Sequence, residues 1–487
     1  METPLTSNEI PHALQYAVQR HQAGRLAEAE AIYLRILDEE PAHAEALHLL
    51  GLISLQTGRH AYAVELIETA NELSPGNAVI LSNLGEAYNK TSRPDDARRC
   101  CEEAVKLKPN FPAAHNNLGN ALQRLEQLDA ADKSFRAAVS LDPSSPLSRV
   151  NLGLLCLLRG DYATGLELYE SRLERTALHA GGDTRQMLDQ LAGIPSWRGA
   201  PMQGKRLLLW TEQGLGDTLM MLRYLPQIRS LGVGRLTVCC EPALVRLVQT
   251  CKEVDEVIVD AYSCDWRERI DLQCPTMSLP LALGTRLDTI PGRTPYLKIP
   301  GEQRRRWSAR VAALASPRIG LVWAGGKKTQ ADPRRSVSIA SFEPLLEMRG
   351  ISLISLQKDR DASPPQMPAP PGLIDWIDEC TDLLETAALI EQLDLVISVD
   401  TAVAHLAGAL DKPVWLLNRT GSEWRWMLGR DDSPWYPTMR IFNQRQRDWE
   451  SVVDEIADAV EKEFRSAQQP LQARLSRLIH RFITGSR

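Results

Sequence analysis

The sequence predicts two architectures in one chain: an α-solenoid of paired helices over residues 1–180, then a two-lobed α/β domain from 205 onward. Three observations predict it. Pro41, Pro75, Pro109 and Pro143 recur every 34 residues, and Gly51, Gly85, Gly119 and Gly153 follow them at the same period. Beyond residue 205 this period gives way to short apolar runs separated by helix-length segments, the pattern of a parallel sheet covered by helices. Those runs form two series, joined near 295–316.

Within the repeats, Ala63, Ala97 and Ala131 keep the same spacing, as do the core-type residues Tyr33, Ile67, Cys101 and Phe135. A small residue where two helices cross, with proline closing the second helix, resembles the tetratricopeptide repeat. Repeats run 10–43, 44–77, 78–111 and 112–145, and a degenerate fifth has Gly165 in the small-residue slot and no closing proline near 177. One such pair cannot bury its apolar face alone, so the pairs stack. The resemblance implies a superhelix whose groove holds a protein or peptide.

Composition narrows the class. A net charge of −6 on 487 residues argues against nucleic acid as the main partner, since phosphate binding needs a basic field. No run reaches 18 apolar residues, so no transmembrane segment is expected. The N-terminal METPLTSNEIPH lacks the basic-then-apolar order of a secretory signal, and a cytoplasmic protein is expected. The nine cysteines show no paired CxxC spacing, and neighbours such as Cys239 and Cys240 in a strand face opposite sides. Reduced thiols, rather than a metal site, follow.

A polar, glycine-containing connector is placed at 181–204. The first series of strands comprises 206–210, 236–240 and 254–259; the second comprises 318–326, 351–357, 394–400 and 413–418. They give a first lobe at 205–300 and a second at 301–487, both Rossmann-like, with a ligand cleft between them.

Two strand-to-helix turns carry the expected chemistry. The first is Glu212-Gln213-Gly214-Leu215-Gly216-Asp217-Thr218, after the strand ending at Trp210. Its glycines let backbone approach a ligand, and Asp217 stands where a base would face the cleft. A dinucleotide fingerprint would need a third glycine, which Leu219 replaces. A plain helix cap is the other reading of Asp217.

The second turn is Asp400-Thr401-Ala402-Val403-Ala404-His405, after the strand ending at 399. Free N–H groups at its helix start make a site for phosphate oxygens. Thr401 and His405, four apart, share one helix face, so the histidine is expected to add a donor at the cleft mouth.

These residues resemble the heptosyltransferase-like glycosyltransferases of family 9. The resemblance rests on GLGD at 214–217, WAGG at 323–326, the Asp400-Thr401 to His405 turn and Lys412-Pro413-Val414-Trp415. It covers about 204–460 and implies a GT-B fold that transfers sugar with inversion and without metal. The organisation is also similar to that of tetratricopeptide-fused O-linked N-acetylglucosamine transferases. The resemblance assigns Asp217 as general base, and Asp400, Thr401, Ala402 and His405 as the binding turn for a nucleotide-sugar diphosphate. Ala402 departs from the family's glycine, which bears on the closeness of backbone to phosphate. A basic residue after the second lobe's first strand completes the set; among Lys327, Lys328, Arg334 and Arg335, the choice falls on Arg335 and Lys327. A solvated loop is the alternative for that cluster. No Asp-x-Asp motif is present to hold a divalent metal, and no cofactor is expected beyond the nucleotide sugar as substrate.

Trp424, Trp426 and Trp435 either stack on a sugar or pack against the first lobe. Beyond Pro470, Leu471, Leu475, Leu478 and Phe482 form an apolar stripe with arginines elsewhere, suited to peripheral membrane contact or to docking on the protein itself. The sequence thus predicts a glycosyltransferase carrying protein-binding repeats, with a non-catalytic scaffold as the competing class. The oligomeric state is not predicted.

Overall fold

The computed structural model describes residues 5–178, 183–259, 266–325, 333–358, 370–445 and 448–465. Two compact units result: Met1–Cys156 with Glu167–Arg175, and Leu157–Leu166 with Thr176–Arg487.

The first unit is the tetratricopeptide solenoid. Its helices are α1 (Ile10–Gln22), α2 (Leu26–Glu39), α3 (Ala44–Gln56), α4 (His60–Leu73), α5 (Ala78–Lys90), α6 (Pro94–Leu107), α7 (Pro112–Arg124) and α8 (Leu128–Leu141); the chain continues as α9 (Pro146–Leu158) and α10 (Tyr162–Tyr169), of which residues Leu157–Leu166 count with the second unit. Pair starts at 10, 44, 78, 112 and 146 keep the 34-residue period of the prolines. The glycine slot has a steric cause. A Cβ on Gly51 would stand 2.5 Å from Ile67, and one on Gly119 would stand 2.6 Å from the Phe135 ring. Tyr33, Ile67, Cys101 and Phe135 fill the space so created and are wholly buried, as are Ala63, Ala97 and Ala131. Asn77 caps α5 by accepting the N–H groups of Val79 and Ile80. Successive first helices are also joined by polar pairs: His48 with Asn83 at 2.8 Å, Asn117 donating to the Ser82 carbonyl at 3.1 Å, and Asn151 donating to Asn116 at 2.9 Å. The degenerate fifth pair is visible as a shortened α10 of 8 residues, where α2, α4, α6 and α8 each have 14.

The second unit holds two parallel sheets. β1 (Arg206–Trp210), β2 (Arg235–Cys239), β3 (Glu256–Ile258) and β4 (Leu272–Pro275) form the first, in order β3-β2-β1-β4. β5 (Arg318–Val322), β6 (Ser352–Ser355), β7 (Leu373–Asp375), β8 (Leu395–Val399), β9 (Val414–Asn418) and β10 (Met439–Asn443) form the second, in order β10-β9-β8-β5-β6-β7. Three strands, β4, β7 and β10, were not anticipated from sequence. The apolar runs are buried on both faces because helices cover both. Ile319, Leu321, Ile397, Val399, Leu417 and Phe442 pack with Val453 and Ile456 of the helix Glu450–Val460 on one side of the larger sheet. In the smaller sheet, buried Trp210 donates its indole N–H to Gln273 of β4 at 2.7 Å.

Residues from the expected connector are ordered on this unit. Asp183–Gln190 forms a helix, the Trp197 N–H donates to the Gln273 carbonyl at 2.8 Å, and the Met202 N–H donates to the Leu231 carbonyl at 2.9 Å. Lys327, Lys328 and the apolar stripe beyond Pro470 lie outside the described residues. Among the described residues no helix is long and apolar enough to cross a membrane.

Candidate active site

In both sheets the chain reverses its direction of growth beside a central strand. Strands 1 to 3 grow one way from β1 and β4 sits on the other side; strands 5 to 7 grow one way from β5, and β8 to β10 the other. Open α/β sheets bind ligands at such reversals, beyond the carboxyl ends of the strands. The glycine turn follows β1 and the Asp400-Thr401 turn follows β8, so sequence had marked the loop at each reversal.

The two turns meet. The helix Leu215–Met221 packs against the helix Ala402–Ala409. Gly216 makes this possible, because a Cβ there would lie 2.6 Å from His405 Cδ2 and 3.4 Å from the Ala402 Cα. Its bareness therefore serves helix–helix approach. Gly214, the N-cap, faces open space apart from Asp217, the nearest atom to a Cβ there at 3.5 Å.

Asp217 is the third residue of its helix, not the cap itself. Its Oδ2 accepts the Gly214 N–H at 3.2 Å. Oδ1 accepts from the guanidinium of Arg425, a residue of the second lobe. Side-chain exposure is 17% for Asp217 and 12% for Arg425, so the pair is largely withdrawn from water.

Thr401 takes the N-cap position of its helix in extended conformation, φ −145° and ψ 169°, but makes no side-chain cap. Its hydroxyl pairs instead with Ser398 at 3.1 Å. The Ala404 N–H donates to the Thr401 carbonyl at 3.1 Å, and the N–H groups of Ala402 and Val403 at the helix start receive no cap from the Thr401 side chain. Asp400 is half-buried at the end of β8 and has no ion-pair partner among the described residues.

His405 sits differently from the expectation. It is 4% exposed rather than at a cleft mouth, because the glycine-turn helix covers that face. Its Nδ1 lies 2.9 Å from the Tyr436 hydroxyl, and its ring centroid lies 5.1 Å from that of Trp426. Burial, helped by the charge of Arg425, pushes the imidazole down to about 3, so it stays neutral at ordinary pH.

Arg335 lies over the loop after β5: a Cβ on Gly325 would come within 2.5 Å of its Nε. β5 and β8 are adjacent and parallel, with Val322 in register with Ser398, so this loop and the Thr401 turn leave the same end of the sheet side by side. Among the described residues Arg335 Nε is buried without an acceptor.

The tryptophans resolve toward packing. Trp424, Trp426 and Trp435 are 3%, 1% and 0% exposed. Sequence reasoning missed Arg223, whose guanidinium, 3% exposed, donates to the carbonyls of Trp435 at 2.6 Å, Pro291 at 3.2 Å and Met220 at 2.8 Å, and lies 4.8 Å from the Tyr436 ring. It also missed Arg425 and Tyr436; only the density of aromatic residues around 424–436 marked that segment.

Residues 380–447 match glycosyltransferase family 9 (heptosyltransferase), which spans the Thr401 turn and Arg425 but not Asp217. Residues 54–122, 21–78 and 116–177 match tetratricopeptide repeats. Protein FlbA of Caulobacter vibrioides (strain ATCC 19089 / CIP 103742 / CB 15) is 30% identical over 328 residues, covering 63% of this chain. The chain spans about half, 53%, of that relative's length. Among solved structures, a thermophilic tetratricopeptide protein of Thermus thermophilus is 25% identical, covering 36% of this chain and 95% of its own, with a TM-score of 0.32. MamA 41-end from Desulfovibrio magneticus RS-1 is 21% identical, covering 36% and 100%, with a TM-score of 0.31. The chain combines tetratricopeptide repeats with a glycosyltransferase family 9 domain toward its C-terminal end.

Proposed function

We propose that this protein transfers a sugar from a nucleotide-sugar donor to an acceptor hydroxyl, inverting the anomeric centre without a metal ion, in the cytoplasm, while its repeats hold a protein partner or acceptor. The observation that carries this is the meeting of the two turns, which sets a carboxylate beside a helix start whose N–H groups lack a side-chain cap. The donor diphosphate would lie on the N–H groups at Ala402, with Arg335 and Lys327 supplying positive charge. Charge grows on the departing diphosphate during transfer, so donors placed there favour the transition state over the bound substrate. Asp217 would take the acceptor proton. His405 would contribute by holding the donor helix against the glycine turn, its ring being buried between them.

A second reading is a scaffold that binds nucleotide without turnover. Ala402 in place of glycine and the engagement of both Asp217 oxygens favour it. Asp217→Asn separates the two. The single amide oxygen of asparagine can keep the Gly214 N–H but not the Arg425 contact as well, and neither group belongs to the donor turn, so the enzyme reading expects calorimetric nucleotide binding close to wild type and turnover lower by roughly 10² to 10⁴. Retained single-turnover rates in the folded variant would remove the base assignment. Wild-type protein that turns over no donor in a nucleotide-sugar panel would favour the scaffold.

A further inference from the structure

Arg425 stands between two buried tryptophans, in a turn braced at every step. Arg419 donates to the Gly421 carbonyl at 2.6 Å and to Glu423 at 3.0 Å. The Ser422 hydroxyl donates to Asn418 at 3.0 Å, and the N–H groups of Trp426 and Met427 both reach the Glu423 carbonyl, at 3.0 and 3.2 Å. Trp424 and Trp426 anchor the turn in the core, and the guanidinium carbon of Arg425 lies 4.9 Å from the Trp424 ring. An arginine rooted this firmly has few ways to point. It points out of the second lobe and onto Asp217 of the first, across 208 residues of sequence.

The partner's geometry gives that contact a use. Asp217 receives the Gly214 N–H on one oxygen and the Arg425 guanidinium on the other. Two donors from two lobes fix both the position and the plane of the carboxylate, whereas one hydrogen bond would leave it free to rotate. Each carboxylate oxygen has a second lone pair, so the fixed group can still accept a proton. Glu423 gives Arg425 a looser contact, at 3.7 Å, and would not by itself require the reach into the first lobe.

We propose that Arg425 is a positioning residue that holds Asp217 in the orientation a base needs, so that the base is set only while the two lobes are docked on each other. This rests on the transferase reading above. In the step it serves, the acceptor proton passes to Asp217 and the acceptor oxygen forms a bond to the anomeric carbon. The bond from that carbon to the diphosphate oxygen breaks, and its electron pair leaves with the nucleoside diphosphate.

The full-length protein tests this through the division of effect between kcat and KM. In Arg425→Ala, kcat should fall roughly 10²-fold, the scale of a misplaced catalytic group, while KM for the nucleotide sugar stays near wild type. Guanidinium ion added at low, non-denaturing concentration should restore part of kcat, which a merely structural defect would not show. Arg425→Lys keeps the charge and the fold but not the planar fork, and should fall between the two. Raised donor KM with kcat intact would overturn the proposal by moving Arg425 to the donor. So would wild-type kcat in both variants, or Arg425→Lys at full rate where the alanine variant does not fold. If the wild type itself turns over no nucleotide sugar, the transferase reading fails first and this proposal falls with it.

Discussion

The two units of this chain are held together in opposite ways. In the solenoid every stabilising feature lies within a helix pair or between neighbours: Gly119 against Phe135, Asn117 against Ser82, Asn77 on its own helix. In the α/β unit the decisive contacts join residues about 200 apart: Asp217 with Arg425, Arg223 with Trp435, Gly216 with His405. Local contacts make stability roughly a sum over repeats, so one weak pair lowers the total without ending cooperativity elsewhere. Long-range contacts tie site geometry to the docking of two lobes, so one defect is felt throughout. All 11 tryptophans lie at or beyond residue 197, within the second unit, so their fluorescence follows that unit alone while helical circular dichroism is dominated by the repeats.

The largest expected difference is in acid. His405 is held neutral by burial, its value pushed down to about 3. An unfolded histidine titrates near 6.5, so the unfolded chain binds the proton first. The stability that this group gives is therefore complete above pH ~6.5 and is lost toward pH ~3, at up to about 1.4 kcal/mol per pH unit. His48, buried in the solenoid and pushed down to about 4, acts with the same sign over a narrower window. Denaturant melts followed by tryptophan fluorescence between pH 7 and 5 should show the second unit losing stability with that slope. Replacing His405 with Asn should flatten it, and an unchanged slope would mean that the imidazole is reachable by water.

Substitution at the two close-packed glycines comes next. Gly216→Ala pushes a methyl into an imidazole pinned between Tyr436 and Trp426, and Gly119→Ala pushes one into the Phe135 ring. Overpacking of this kind costs about 1 to 3 kcal/mol, with the better helix propensity of alanine returning part of it. The expected contrast is in reach. Gly119→Ala should lower the helical melting signal and leave nucleotide binding unchanged; Gly216→Ala should lower the fluorescence transition and weaken nucleotide binding together. Loss of nucleotide binding in Gly119→Ala would break the distinction between local and long-range organisation.

The same contrast explains what could be read from sequence. The solenoid was legible pair by pair because its period is written in the residues that touch. Both strand-to-helix turns were legible because a strand, a turn and a helix start are consecutive in sequence. Their meeting was not, and neither was the close approach of Gly216 to His405. Arg425 and Arg223 carry no pattern that marks their long-range contacts: each has one partner over 200 residues away. The missed strands have individual causes. β4 ends in Pro275, β7 is 3 residues long, and β10 exposes Arg440 at a sheet edge, so none shows a sustained apolar run.

The smallest expected effect concerns the charged surface of the repeats. Arg59 reaches back from the second repeat to Glu30 of the first in a two-point contact, at 2.6 and 2.9 Å, with side-chain exposures of 40% and 25%. It is the sort of pair that would matter if neighbouring repeats were joined by charge. Exposed pairs are screened by water and salt, however, and are worth about 0.2 to 1 kcal/mol, while the buried contact of Ile67 with Gly51 acts inside the second repeat without screening. Glu30→Gln should therefore shift the helical melt of the full-length protein only slightly. Raising the salt concentration should erase that difference, since the variant has no charge pair left to screen. The tryptophan transition should not move at all. A shift comparable to Gly119→Ala, persisting in high salt, would show that the solenoid depends on this ion pair rather than on its packed helix crossings.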